Sequence, residues 1–204
     1  MSTFLSALLF SLSSNLDNLV VGIAYGIKKI NMKLLANLII AIITSTGTFL
    51  AMSLGSYISA FLSEYIANIL GSAVIIILGL YFVIQSILKL INNTKSKKLA
   101  LKNLNDVIKY AEESDLDRSG DISIKESLFV AFGLTFNNLG TGVAASIAGI
   151  SIEFTVIFTF ILSVLTIIFG QSIGNHMFGN FFGKYAPLSS GILLIILGII
   201  QFFN

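Results

Sequence analysis

The sequence predicts an all-α integral membrane protein whose six transmembrane helices form a 3+3 inverted-topology repeat. Three observations carry that expectation. The 204 residues are 55% hydrophobic and only 11% charged, against roughly 25% charged in soluble domains. Six apolar stretches come near the ~20 residues that cross ~30 Å of hydrocarbon. The polar stretch around Asp17 also returns, in altered form, around Asn137.

The expected spans are 3–27, 34–57, 66–91, 126–150, 154–175 and 186–203. No Lys or Arg precedes Lys28, so the basic flank of a cleavable signal peptide is missing and the first span is read as a retained helix. The last span is short, and Asn175, His176 and several glycines interrupt the end of the chain. The hydrophilic segment 92–125 separates spans three and four. The organisation expected is a first repeat at 1–91, a loop at 92–126 and a second repeat at 127–204. With no cysteine, disulfides and thiolate-ligated metals are excluded.

The charges orient these spans. Lys28, Lys29 and Lys33 follow span one; Lys89, Lys95, Lys97, Lys98, Lys102, Lys109, Arg118 and Lys125 surround the central loop; Lys184 precedes span six. With six crossings all 12 basic residues fall on one side, and the opposite loops carry only Glu64 and Glu153. The positive-inside rule then places both termini outside and the 92–125 loop in the cytoplasm, in a cell (inner) membrane. Three spans per copy is an odd number, so the second copy enters from the opposite side, a transporter plan with its site between the repeats.

The echo locates that site. Leu16-Asp17-Asn18-Leu19-Val20-Val21-Gly22-Ile23-Ala24 aligns with Phe136-Asn137-Asn138-Leu139-Gly140-Thr141-Gly142-Val143-Ala144, identical at Asn18/Asn138, Leu19/Leu139, Gly22/Gly142 and Ala24/Ala144. Later parts match with a gap: Leu54-Gly55 with Phe169-Gly170, and Ile76–Gly79 with Ile195–Gly198. A carboxylate near the bilayer centre costs roughly 2.5–3.5 kcal/mol on insertion scales, so Asp17 is expected to face a polar cavity or a partner. On a helix Ser14, Asp17 and Asn18 share one face with Ser13 and Gly22. Asp17, Asn18, Asn137 and Asn138 are the candidate intramembrane ligands, because hard oxygen donors suit Mn²⁺, Mg²⁺ or Ca²⁺. Thr44, Ser45, Thr46 and Thr48 either line the same cavity or pack helices. Gly22/Gly26, Gly142/Ser146, Gly170/Gly174 and Gly179/Gly183 read as close-packing pairs. His176, near a helix end, reads as structural.

The second motif is Asp115-Leu-Asp117-Arg-Ser119-Gly120-Asp121-Ile-Ser123-Ile-Lys-Glu126, an EF-hand-like calcium loop. Asp115, Asp117 and Ser119 hold positions 1, 3 and 5, Gly120 the sharp turn, Asp121 and Ser123 positions 7 and 9, and Glu126 the bidentate position 12. The stretch 103–113 is expected as the incoming helix and the start of span four as the exit helix. EF-hands generally pair, so a homodimer is a possible source of a second one.

The Asp17 motif and its echo, with Gly170-xxx-Gly174, Gly183-Lys184-xx-Pro187, Gly191 and Leu197-Gly198, resemble the MntP-type manganese efflux pumps. Within them the loop is similar to that of YtaF-type sporulation membrane proteins. The resemblance implies a 3+3 inverted-repeat cation exporter with a site made by acids in helices one and four. Asp17 matches the first acid; Asn137 stands at the second, and Thr44 where the pumps carry an acid in helix two. The function expected is export of a divalent cation, Mn²⁺-like or possibly Ca²⁺ or Mg²⁺, by alternating access, with Ca²⁺ in the loop as sensor. The alternatives are a non-transporting, sporulation-related scaffold and a small-solute exporter of the lysine-exporter superfamily. No catalytic set is present, and the partners expected are the lipid bilayer and the cation, with no nucleic acid.

Overall fold

The computed structural model describes residues 3–91, 104–176 and 179–203. The side chains of Lys89, Lys95, Lys97, Lys98, Lys102, Asn137 and Lys184 lie outside the described residues. Helices α1 (Thr3–Ser14) and α2 (Leu16–Lys28) are followed by a two-residue strand β1 (Asn31–Met32), α3 (Leu34–Ser59) and α4 (Glu64–Ile91). Then come α5 (Leu104–Ser114), strand β2 (Asp121–Ile122), α6 (Ile124–Ile147), α7 (Ile152–Gly174) and α8 (Gly179–Phe202). Among the described residues, Thr3–Lys28, Leu34–Ser59, Glu64–Leu88, Ile152–Gly174 and Tyr185–Phe202 are long and apolar enough to cross a membrane. Helix α6 makes a sixth span if its two segments, Ile124–Phe136 and Asn138–Ile147, bent by 46°, count as one.

The packing inverts that of a water-soluble protein. Phe49, Leu50, Ile77, Phe129, Phe136 and Phe169 are exposed, whereas Ser11, Ser13, Asn15, Asn18, Asn37, Thr44, Ser163 and Thr159 are buried. Lipid removes the drive to hide apolar side chains, so helices associate through close backbone approach and interhelical hydrogen bonds. Glycine makes that approach possible. A methyl group at Gly22 would stand 2.6 Å from the Ile167 carbonyl oxygen, and one at Gly170 or Gly174 would overlap the Leu19 or Ile23 carbonyl. Gly142 lies against Met52, and Gly55 against the Val143 carbonyl and Ser146. A methyl group added at Gly79 would stand 2.8 Å from the Gly191 carbonyl, and one at Gly198 would stand 3.1 Å from the Ser72 carbonyl. The main seams are thus α2 with α7, α3 with α6, and α4 with α8.

Three features differ from the expected spans. Span one is interrupted at Asn15. Helix α8 starts at Gly179, not 186, and carries Pro187 in its interior. Proline forfeits a backbone bond, but in hydrocarbon abandoning the helix on either side would strand several more groups. Finally, the all-helical plan carries one exception: β1 and β2 pair in parallel, Asn31 opposite Asp121 and Met32 opposite Ile122.

Candidate metal centres

The first centre forms where span one breaks. Asn15 sits between α1 and α2 at φ −97°, ψ 4°, and its N–H still donates to the Ser11 carbonyl at 3.1 Å. Three residues on, the Asn18 N–H donates instead to Asp17 Oδ1 at 2.7 Å. A continuous helix would give that N–H to the Ser14 carbonyl. The Ser14 carbonyl accepts from Asn138 Nδ2 at 2.9 Å, and the same Nδ2 lies 3.3 Å from Asp17 Oδ2. Asn138 opens the second segment of the bent α6. An interrupted span one and a bent α6 therefore meet through one amide, which satisfies a freed carbonyl and holds a carboxylate.

Asp17 and Asn138 line a cavity of about 200 Å³ together with Ser13, Ser14, Thr141 and Ser190. Its far wall is fastened by a reciprocal pair: Ser13 Oγ donates to the Ser190 carbonyl at 2.9 Å and Ser190 Oγ to the Ser13 carbonyl at 3.0 Å. Val107 and Tyr110 of α5 form part of the lining as well.

The other predicted residues lie apart. Asn18 points into the seam with α7, donating to Asn15 Oδ1 at 2.8 Å and to Ser163 Oγ at 2.9 Å. Thr44 joins that seam, 3.4 Å from Ser163 Oγ, with its proton on the Ile40 carbonyl. Asn37, which the sequence reading passed over, belongs there too and donates to the Val164 carbonyl at 3.0 Å. The Asn18 and Asn37 amide oxygens are buried without a partner. Two isolated asparagines in apolar runs were the available signal for this layer. His176 Nδ1 contacts the Ser172 carbonyl at 2.8 Å, on the surface.

The second centre is the loop between α5 and α6. Gly120 takes φ +79°, a conformation open to glycine at no steric cost. Asp115 accepts from the Ser119 and Gly120 N–H groups, each at 3.0 Å, and Asp117 from Ser119 N–H at 3.0 Å. Ser119 Oγ donates to the Asp121 carbonyl at 3.0 Å. Glu126 accepts from Leu116 N–H at 2.6 Å with one oxygen and from Ser123 N–H at 2.8 Å with the other. Ser123 caps α6 in return, its Oγ accepting from the Glu126 N–H at 3.4 Å, which closes a capping box.

These groups fit a hard cation. Asp115, Asp117 and Glu126 each offer a carboxylate oxygen within 4.8 Å of the others', and Asp115 and Glu126 are only 8% and 3% exposed. Among the described ion pairs, none neutralises either, and burying like charges without a counterion is costly. The Glu126 carboxylate is held by the Leu116, Asp117 and Ser123 N–H groups. The Ser119 hydroxyl and N–H lower the pKa of Asp117, and Lys33 with Asn31 lowers that of Asp121.

The loop is anchored to the bundle. Asn31 N–H donates to the Gly120 carbonyl at 2.7 Å, Lys33 pairs with Asp121 at 3.0 Å, and Lys28 pairs with Glu112. Ile122 is wholly buried in one cluster with Tyr25, Met32, Val107 and Ala111. The strand in this loop is thus paired with residues 31–32 of the same chain.

The chain belongs to the Mntp family, described as "Putative manganese efflux pump", which matches residues 1–83 and 98–202. It is a multi-pass membrane protein of a transporter family. "Probable sporulation protein YtaF" of Bacillus subtilis (strain 168) is 28% identical over 95% of this chain and 97% of its own length. "Putative manganese efflux pump MntP" of Clostridium perfringens (strain SM101 / Type A) is 32% identical over 45% of this chain and 42% of its own. No solved structure matches the chain.

Proposed function

We propose that the protein exports a divalent metal cation, Mn²⁺ or a similar ion, by alternating access. The observation that carries this reading is the meeting of Asp17 and Asn138 at a helix break and a helix bend beside one cavity. Discontinuous helices near the midplane are where secondary transporters bind substrate ions. Asp17 supplies the charge, the Asn138 amide oxygen and the Ser and Thr hydroxyls supply neutral oxygens, and Asn137 joins them from the bend. Asn18 holds the break in span one in shape through Asn15 and Ser163.

The two halves, 1–91 and 127–204, act as inverted repeats. The glycine seams support this. Gly22 packs on Ile167, three residues before Gly170, while its counterpart Gly142 packs on Ala51 and Met52, four and three residues before Gly55. Gly79 packs on Gly191 and Gly198 on Ser72, each seven residues before the other's counterpart. Exchanging the halves exchanges the contacts. In this reading both termini are outside, the 92–126 loop is cytoplasmic, and the EF-hand-like loop binds Ca²⁺ as a sensor.

Uptake of Mn²⁺ into inverted vesicles tests the proposal. Wild-type protein takes up the ion and Asp17→Ala does not; equal uptake by both excludes it. A sporulation scaffold, favoured by the near-complete match to the Bacillus relative, would give no uptake in either.

A further inference from the structure

Helix α5 is the incoming helix of the calcium loop and also a wall of the transport cavity. Val107 and Tyr110 line that cavity beside Asp17 and Asn138. Val107 and Ala111 are 5% and 0% exposed and pack with Val20 and Val21 of α2 and Leu134 of α6. The opposite face of α5 carries Lys109, Glu112 and Glu113, all exposed. The Tyr110 hydroxyl reaches α6 at Gly133, where an added Cβ would stand 2.8 Å from it, and it donates to the Phe129 carbonyl at 3.4 Å. The helix is short, and its ties are few. Among the described residues they include the Lys28–Glu112 pair, the Tyr110–Phe129 bond, the apolar seat, and the loop that follows it.

We infer that α5 is a calcium-controlled gate on the loop side of the Asp17 cavity, held shut when the EF-hand-like loop carries its ion. The inference rests on the reading that the loop binds calcium and that the cavity is the transport path. Its logic is linkage: a ligand stabilises the conformation whose binding groups it finds assembled. Here the Asp115, Asp117 and Glu126 oxygens are already convergent while α5 is seated over the cavity. Asp115 directly follows Ser114, the last residue of α5, and Glu126 lies in the first turn of α6. An ion gripped by both fixes the angle between α5 and the helix bearing Asn138. The pairing of β1 with β2 fixes the same loop to the end of α2, the helix bearing Asp17. Without the ion only the loop's own N–H groups hold these carboxylates together, so the angle between α5 and α6 is less firmly set and α5 unseats more readily.

The absence of cysteine gives a clean test. A single Val20→Cys, at the cavity wall, is labelled by a small cationic methanethiosulfonate reagent applied from the loop side to the full chain in vesicles. Labelling is compared in calcium and in chelator, while calcium binding is followed separately by titration. The gate requires labelling at least roughly tenfold slower in calcium. It also requires that Glu126→Gln, whose amide oxygen can still cap Ser123, abolish the difference. Calcium binding with unchanged labelling overturns the gate and leaves the calcium loop standing; no calcium binding overturns both. A disulfide between Asn31→Cys and Asp121→Cys, strand partners with touching side chains, pins the loop without the ion. Mn²⁺ uptake by this variant falls on oxidation and returns on reduction if α5 is the gate. Uptake indifferent to oxidation overturns it, whereas no uptake in any form, wild type included, together with calcium-insensitive labelling, removes the transport reading and the gate together.

Discussion

Asn138 Nδ2 stands 3.3 Å from Asp17 Oδ2 and 2.9 Å from the Ser14 carbonyl, so one amide joins the broken span one to the bent α6. Asn138→Ala leaves the carbonyl and the carboxylate without that donor. Both groups are half-buried, so the loss of a hydrogen bond of this kind costs about 0.5–1.5 kcal/mol, and a lower melting temperature in detergent is the expected result. Asn138→Asp should behave differently. It sets a second carboxylate beside Asp17, which weakens the ion-free protein and makes added Mn²⁺ raise the melting temperature more than in wild type.

Two glycines in the membrane give opposite outcomes for one substitution. Gly22→Ala drives a methyl group into the Ile167 backbone at 2.6 Å, where neither helix can yield without moving the seam. Overpacking of this kind costs about 1–3 kcal/mol. Gly140→Ala meets nothing within 4 Å and gains up to about 1 kcal/mol of helix propensity. Thermal unfolding of the two variants beside wild type checks both signs.

Ser123→Ala removes the cap from α6 while leaving the loop carboxylates in place. The expected cost is about 1 kcal/mol, read as faster amide exchange in the first turn of α6. Calcium affinity should change far less, because the Glu126 carboxylate keeps the Leu116 and Ser123 backbone N–H groups that hold it.

The loop should resist mild acid. Asp117 and Asp121 titrate below their usual values, so the stability they lend is complete above the ordinary carboxylate pKa of about 4. It disappears only as the pH falls through the lowered folded-state values. Exchange protection at Ile122 is therefore expected to hold from pH 7 to about 5 and to be lost below about 4. Loss already at pH 6 would contradict the hydrogen-bond pattern around Asp117 and Asp121.

The spans were legible because a long apolar run is a one-dimensional signal that needs no knowledge of neighbours. The echo paired Asp17 with Asn137 and Asn18 with Asn138, so it marked the region, while the contact of Asp17 with Asn138 crosses that register and shows only in three dimensions. The break at Asn15 was not legible. Its cause is a carbonyl on Ser14 handed to a side chain 124 residues away, which no local pattern encodes. The separation of Asn18 from Asp17 needs no break, since both lie on α2 and neighbouring helical residues point about 100° apart. Strand β1 is two residues long, too short for any alternation to show. The seating of α5 was hidden because its apolar residues, Val107 and Ala111, find their partners on α2 and α6.

The glycine seams restrict how the molecule can change shape. Where Gly22 and Gly26 meet Gly170 and Gly174, backbone lies on backbone, with no side chains between to deform. Such a surface tolerates little shear, so the first and fifth crossings must travel as a single lever, and Gly55 against Val143 makes another of the second and fourth. Whatever opens this protein has to pivot between those two levers, at the Asp17 cavity itself.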